Sequence, residues 1–422
     1  MSEFTELTVS VTKSLSKEEK KNFGFFATPQ SHVNTLCDTV LDYAAQSGIT
    51  IRSILEPSCG TCEMVNRIDQ KIHGTNITAI EYNHTIYHAI TRPGAVSFRN
   101  NNVHIVNADF LKYNADCSEK FDLVIGNPPY FVCKKEDVPP QYRKYVSGRP
   151  NIFGMFIVHS IEMLNAGGIL AFIIPKSFLN SAYYSGIRER IVQTCRIVQI
   201  RDYSKTGGKF IDTDQSTIAF IVQKWGPIPD PRNRMCDYSL QIGPHCVFSE
   251  DARELKTLLA GATTLDELGF KVRTGQIVWN EHKDILCDDA SQTFLVYNTN
   301  ISKNNTLEPK QFKNDEKGQY IRREGNTGPL LVVNRGNGNS TYKLNWALVD
   351  GTSYSNPYLI ENHLNEIIPK TEMKKEDLLM RYNKIIQSFR NPKTQQFIDL
   401  FLGNGGLSKT ELETIFPIYL NE

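Results

Sequence analysis

From residue 53 to residue 223 the chain keeps repeating one theme: a short apolar run, a polar turn, then a stretch with helical spacing. The runs are Ser53–Glu56, Ile77–Glu81, Val103–Val106, Phe121–Gly126, Ile169–Ile174, Ile197–Arg201 and Thr217–Gln223, with helices expected over Ser31–Ser47 and Met155–Leu164 among others. Alternation of this kind is the pattern of an α/β protein with a parallel sheet, here a Rossmann-like one of seven strands. At 422 residues the chain is too long for one typical core, so two domains are expected. Ligands of open α/β sheets bind at the carboxyl ends of the strands, near the point where the strand order reverses. The polar residues just past each strand are therefore the ones to read.

The first strand ends in Glu56-Pro57-Ser58-Cys59-Gly60-Thr61-Cys62, a turn of small residues leading into a helix. Such a turn lets a ligand approach the backbone, and a helix N-terminus favours a negative group such as a carboxylate. The second strand ends at Glu81, placed for its carboxylate to accept two hydrogen bonds from a ribose diol. The third ends in Asn107-Ala108-Asp109-Phe110, an acceptor for an amino group beside a ring that can cover a base. The fourth runs into Asn127-Pro128-Pro129-Tyr130. Alone, that tetrapeptide also reads as a strand stop, because proline cannot continue a ladder. In register with the three preceding turns it reads as chemistry. An aromatic exocyclic amine is a poor nucleophile, since its lone pair is delocalised into the ring. Two acceptors on its N–H bonds, the Asn127 side chain and the Pro128 carbonyl, would localise that pair, while Tyr130 offers a ring for stacking.

Composition bounds the alternatives. Hydrophobic residues make up 40% and charged residues 22%, ordinary for a globular protein. No apolar run reaches the ~20 residues of a membrane span, and residues 1–21 carry no apolar signal region, so a cytoplasmic, nucleoid or nuclear setting is expected rather than secretion. The net charge of +1 neither favours nor excludes nucleic acid, because a local basic face is what DNA requires. Nine cysteines form no disulfide framework. Cys59 and Cys62 have redox or zinc spacing, but no second pair of ligands follows, so they read as small residues lining the turn.

Taken together, these motifs resemble the S-adenosylmethionine-dependent DNA adenine-N6 methyltransferases of the γ group, the Taq type. The likeness runs motif by motif over residues 24–224. Gly24-Phe25-Phe26-Ala27-Thr28-Pro29 resembles the N-terminal donor-binding motif, in which Thr28 would contact the methionine end. Glu56, Ser58 and Gly60 fall in the donor loop, Glu81 is the ribose-binding acid, and Asp109 and Phe110 are the adenine-binding pair. Phe156, in Asn151–Phe156, would help enclose the donor adenine. The resemblance implies Asn127, Pro128 and Tyr130 as catalytic residues, with Phe210 as a second ring stacking on an extruded base. It implies a seven-stranded methyltransferase sheet and S-adenosylmethionine as methyl donor, with no metal. One departure stands out: Cys62 replaces the second glycine of the donor loop, at a position normally able to take φ > 0.

The Pro-rich stretch Lys224–Pro231 closes the first domain, giving 1–224 as catalytic, 225–240 as linker and 241–422 as a mixed α+β second domain. Strand-like segments lie at Thr293–Tyr297 and Leu330–Val333. Helices are expected over Asp377–Phe389 and Thr394–Leu402, and Ser408 with Glu411 forms a capping box. In the γ group this half is the target-recognition domain. In the loop Val333–Asn339, Arg335 would fork onto guanine and Asn337 would pair with an adenine edge. The stretch Lys303–Arg323, with Lys310, Lys313, Lys317, Arg322 and Arg323, suits phosphates. The segment after the catalytic motif, with Lys134, Lys135, Tyr142, Arg143, Lys144, Tyr145 and Arg149, would clamp the strand on either side of an extruded base. Each of these also reads as solvated surface.

The expected function is site-specific methylation of adenine N6 in double-stranded DNA by base flipping, in a type II restriction-modification setting with a companion endonuclease, by a monomer. The same Asn-Pro-Pro-Tyr serves release-factor glutamine and RNA guanine methyltransferases. A non-catalytic DNA-binding subunit is the reading from a different class.

Overall fold

The computed structural model describes residues 3–16, 18, 19, 27–114, 118–146, 148, 151–203, 216–226, 237–336, 342–350, 357–402 and 406–420. The chain divides into two compact units, residues 1–240 with 246–252, and residues 241–245 with 253–422. The division falls within the hairpin of β8 (Ser239–Ile242) and β9 (His245–Phe248), later in the chain than the Pro-rich stretch. Of that stretch, residues 227–236 lie outside the described residues.

The first unit is built on β1 (Ser53–Glu56), β2 (Asn76–Glu81), β3 (Asn102–Asn107), β4 (Phe121–Gly126), β5 (Leu164–Pro175), β6 (Cys195–Asp202) and β7 (Thr217–Lys224). They form one sheet in the order β3-β2-β1-β4-β5-β7-β6. β7 is antiparallel to both neighbours, and all other pairs are parallel. All seven expected strands are present. β5 starts five residues early because Leu164 already pairs with Phe121, after which the register jumps to Ile169 opposite Leu123. Gly168 makes this jump possible: a Cβ there would stand 3.1 Å from the Phe121 and Asp122 carbonyls.

The helices are α1 (Glu6–Ser14), α2 (Gln30–Gln46), α3 (Glu63–Asp69), α4 (His84–Thr91), α5 (Ile152–Met163) and α6 (Ser185–Thr194). Sheets covered on both faces have strands apolar on both faces, and this one shows why. Alternate residues of one strand, Ile169, Ala171 and Ile173, join a core with Val33, Leu36 and Val40 of α2 and Val65 and Ile68 of α3. Leu170, Phe172 and Ile174 join the opposite core with Phe153, Ile157 and Ile161 of α5 and Ile187 of α6. Each Val, Leu, Ile or Phe among them contributes about 1.5–3 kcal/mol on burial. α1, which the polar N-terminus did not announce, packs through Val11 into the first of these cores.

The turn after β1 contains the departure noted in the sequence. Cys62 has φ 64° and ψ 28°, a left-handed conformation, and its side chain is fully buried. The glycine-like backbone is thus retained by a residue with a Cβ.

The second unit holds β10 (Phe270–Thr274), β11 (Leu286–Cys287), β12 (Thr293–Val296), β13 (Tyr320–Ile321), β14 (Leu330–Asn334), β15 (Trp346–Val349), β16 (Tyr358–Ile360) and β17 (Leu364–Pro369). They make two four-stranded sheets, β10-β17-β14-β15 and β11-β13-β12-β16. Its helices are α7 (Ala252–Leu259), α8 (Lys375–Arg390), α9 (Pro392–Phe401) and α10 (Lys409–Thr414), and the capping box of Ser408 and Glu411 is formed. Among the basic residues of 303–323, Lys317 is turned inward. Its ammonium lies 5.2, 4.2 and 4.5 Å from the ring centres of Trp279, Tyr297 and Phe312. Burial lowers its pKa. Lys310 pairs with Glu308 at 3.2 Å.

Among the described residues no helix is long and apolar enough to cross a membrane. Two predictions follow from the backbone and from this cage. Cys62→Gly should be more stable than Cys62→Ala by about 1 kcal/mol in urea denaturation, although it removes one more carbon, because a Cβ in the left-handed region costs about that much; the opposite order would refute the strain. A double-mutant cycle on Lys317→Ala and Trp279→Ala should show a coupling of about 0.5–1 kcal/mol. Additive losses would mean the cage contributes only area.

Candidate active site

Sheet order runs one way from β1 through β2 to β3 and the other way through β4, so the chain reverses between β1 and β4. A cavity of about 540 Å³ lies in the first unit, lined by residues from the carboxyl ends of these four strands. Thr28, Glu56, Ser58, Gly60, Glu81, Asp109, Phe110, Asn127 and Phe156 all line it. Residues as far apart in sequence as Thr28 and Phe156 thus line one cavity, because the parallel strands end at one edge.

Glu81 organises the donor-loop side. Its Oε2 accepts from Gly60 N at 2.9 Å and its Oε1 from Asn83 N at 2.6 Å. Burial pushes its carboxyl up to about 7, against these backbone N–H groups, which act to lower it. Asn83 in turn caps α4, accepting from Thr85 N and Ile86 N at 2.8 and 3.2 Å. Glu56 is also buried, and burial raises its carboxyl well above the usual range. Its Oε2 has no hydrogen-bond partner. The thiols of Cys59 and Cys62 are free and buried, and the bond to Cys62 together with burial holds the Cys59 thiol protonated. The expected anion-favouring start of α3 already carries a carboxylate of its own chain: Glu63 accepts from Thr5 Oγ1 at 2.5 Å and from Thr8.

On the other side, Phe110 packs its ring 4.7 Å from Phe156 and 4.8 Å from His159. His159 is fully buried and burial lowers its pKa, so the ring is neutral. Its Nε2 donates to the Tyr113 carbonyl at 3.2 Å, leaving Nδ1 to accept from the Tyr142 hydroxyl at 2.6 Å. Asp109 accepts from Leu111 N at 3.1 Å and pairs with Lys112 at 3.1 Å.

At the end of β4, Nδ2 of Asn127 donates to Thr28 Oγ1 at 2.9 Å, and its backbone carbonyl accepts from Ser58 Oγ at 3.1 Å. Oδ1 accepts from the Tyr130 hydroxyl, which also lies 2.8 Å from the Ile173 carbonyl. Pro128 is buried, while Pro129 lines the cavity. Tyr130 is not on the cavity wall. The ring belongs to the core beneath α5, 6.1 Å from Phe153 edge-on, and is 8% exposed. The free, flat ring expected from the motif is therefore largely covered here, because its hydroxyl reaches inward to two acceptors.

The remaining expectations divide. Phe210, Asn337 and Arg149 lie outside the described residues, as do residues 24–26 and the side chain of Lys135. Lys134 is exposed. Arg143 is exposed but binds its own loop, donating to the carbonyls of Val138 at 3.0 Å and Glu136 at 3.1 Å. Tyr142 is buried on His159 rather than presented as part of a surface clamp. Arg335 is half-buried and donates to the Asn362 carbonyl at 2.9 Å, so it braces a turn instead of extending outward. Sequence reading missed Tyr82, 59% exposed on the cavity wall beside Glu81, and the threonines of α1, of which Thr8 bonds Thr61 in the donor loop at 2.7 Å. A ring directly after a strand-end acid was a usable signal for Tyr82; the threonines carried none.

These residues fit S-adenosylmethionine as methyl donor. A ribose diol would be held by the Glu81 carboxylate, a donor adenine by the Phe110 and Phe156 rings, and an ammonium by Oε2 of Glu56, which has no partner of its own.

Residues 15–208 match the family model described as Eco57I restriction-modification methylase. Over its length the chain is 26% identical to the type II methyltransferase M.CvrRI of Paramecium bursaria Chlorella virus XZ-6E, covering 99% of each chain. It is likewise 26% identical to modification methylase CviBIII of Paramecium bursaria Chlorella virus NC1A, again over 99% of each. Among solved structures, a class I S-adenosylmethionine-dependent methyltransferase from Listeria monocytogenes aligns with a TM-score of 0.43 at 16% identity, over 53% of this chain and 67% of that one. Residues 15–208 are thus similar to the Eco57I restriction-modification methylases, and nearly the whole chain is similar to type II methyltransferases.

Proposed function

We propose that the protein is a site-specific DNA methyltransferase acting on N6 of an adenine turned out of the duplex. The observation that carries this reading is the placement of Asn127 and Pro129 on the wall of the same cavity as Glu56, Glu81, Asp109 and Phe110. Bound S-adenosylmethionine supplies an activated sulfonium methyl. The chain's own part is to hold the amine. Asn127 Oδ1 and the Pro128 carbonyl accept its two N–H bonds and draw the nitrogen lone pair out of conjugation. The same acceptors meet the positive charge that develops as the new bond forms, where preorganised dipoles are worth most.

Extruding a base costs a few kcal/mol. Stacking on an aromatic ring returns about 1–3 kcal/mol per base. Tyr130 is one such ring on this reading, meeting the base with the part left open, and Phe210 is its counterpart. The second unit reads the target sequence through Arg335 and Asn337, and Lys134, Lys135 and Arg143 of the first unit add DNA contacts. Because Arg335 and Arg143 already serve backbone carbonyls, their remaining donors are the ones offered to DNA. Methylation would protect that sequence from a companion endonuclease.

Tritiated donor offered with unmethylated DNA, RNA or release factor should label DNA alone; label in RNA or protein with DNA untouched would overturn the reading. Asn127→Ala should lower transfer at least about a hundredfold, the scale for losing one preorganised charge-stabilising group, while donor affinity stays close to wild type. Glu81 makes a prediction in pH. Burial pushes its carboxyl up to about 7, against an ordinary value of about 4.3 in the unfolded chain. Between those values the folded protein binds more protons, so the Glu81 contribution to stability is present at low pH and lost as pH rises toward 7. Donor binding has the opposite sign, since ribose hydroxyls donate to the ionised form. Affinity by calorimetry should fall roughly tenfold between pH 7.5 and 6, and Glu81→Gln should bind weakly without that dependence. Affinity that rises on acidification would remove Glu81 from the ribose.

A further inference from the structure

One turn of the second unit is held from several sides although its last side chain stands in the open. Glu361, Asn362 and His363 join β16 to β17, at the edge of the sheet where β10 and β14 end: Thr274 pairs with Asn365 and Asn334 with Leu364. The Glu361 side chain is 2% exposed and that of His363 63%. Both oxygens of the buried carboxylate serve the exposed residue, Oε2 accepting from His363 N at 2.9 Å and Oε1 lying 2.6 Å from the ring Nδ1. Arg335 grips the same turn, its backbone N–H donating to the His363 carbonyl at 3.2 Å and its Nη1 to the Asn362 carbonyl at 2.9 Å. Asn362 N donates to the Ile277 carbonyl at 2.9 Å, and a Cβ at Gly275 would collide with the Glu361 carbonyl.

Closing a turn does not require this much. A buried carboxylate is costly, and a surface ring gives up rotamer freedom when it is pinned. Arg335 Nε, Asn362 Oδ1 and Asn365 Oδ1 are also buried without a hydrogen-bond partner among the described residues, an exception that stability alone does not favour. Local losses of this kind are expected where a side chain must meet a ligand in one orientation. A carboxylate only accepts, so Nδ1 carries the ring proton and Nε2 is the outward polar atom. A single nitrogen at a fixed angle suits a base edge better than a phosphate, which takes any nearby donor.

We infer that His363 is a specificity-determining residue, its Nε2 meeting the edge of one base pair of the target, and that Glu361 is the residue that positions it. The inference rests on the proposed methylation of DNA and adds to Arg335 and Asn337 a contact from a different turn.

The test uses the full chain, S-adenosylmethionine and unmethylated DNA of randomised sequence, with the methylated adenines then read by sequencing. The wild-type protein should give one motif. His363→Ala should relax a single position of that motif, where discrimination falls on the order of 10- to 100-fold, the scale of one base-edge contact, while the other positions stay selective. The readout is a ratio among sites, so a smaller folded fraction does not imitate it. His363→Gln leaves Glu361 a hydrogen-bond donor and serves as second variant should the alanine chain lose its fold; it should alter the base taken at that same position. Glu361→Gln cannot accept from both the backbone and the ring, and should relax the position more weakly. An unchanged motif in the His363 variants would overturn the inference, and a uniform loss of rate over all sites would make His363 a phosphate contact instead. A lower yield from Glu361→Gln with every position intact would remove the positioning role. If the wild-type protein left no methylated adenine in DNA, the proposed function would be wrong and this assignment with it.

Discussion

Glu81 accepts hydrogen bonds from Gly60 N and Asn83 N, and through them one buried carboxylate ties together two loops that share no sequence. Gly60 belongs to the turn after β1, and Asn83 starts α4 after β2. The carboxylate is 7% exposed, so its charge is costly and its two backbone partners matter more than they would at a surface. The same shortage of water pushes its carboxyl up to about 7. Donor-loop shape and the capping of α4 therefore converge on one side chain.

The far wall of the cavity is organised by a comparable economy of donors. Tyr130 has one hydroxyl proton and two acceptors within reach, the Asn127 amide and the Ile173 carbonyl. This draws the ring into the core below α5 and ties the turn after β4 to β5. His159 and Tyr142 do the same one layer away, where a neutral imidazole passes a hydrogen bond from the loop after the motif to the Tyr113 carbonyl. Polar groups behind the cavity are satisfied by backbone carbonyls, which keeps the wall in one arrangement.

In the second unit, the distribution of positive charge is less open than a count of lysines suggests. Lys317 sits among three rings, Lys310 faces Glu308, and Lys283 faces Glu316 at 2.5 Å. Arg335 donates inward as well. A polyanion would meet a surface on which part of the charge is already committed, and its affinity would rest on fewer cations than the composition offers.

Much of the catalytic half was legible in the amino-acid order. Short apolar runs identified all seven strands, and polar residues just beyond them identified the cavity wall, because a parallel sheet brings its strand ends to one edge. Ser408 with Glu411 was readable as a cap, since it depends on neighbours within a few residues, whereas the left-handed backbone kept at Cys62 was not. Thr28 against Asn127, Thr8 against Thr61 and Lys317 within its cage involve partners 99 and 53 residues apart or rings from separate segments. The inward turn of Tyr130 belongs with them, because the carbonyl that draws it lies on a different strand. Local order determined which elements form and which residues reach the strand ends; only the tertiary structure decided which hydrogen-bond partner each buried side chain takes, because that choice depends on which groups are left unsatisfied once the sheet has closed.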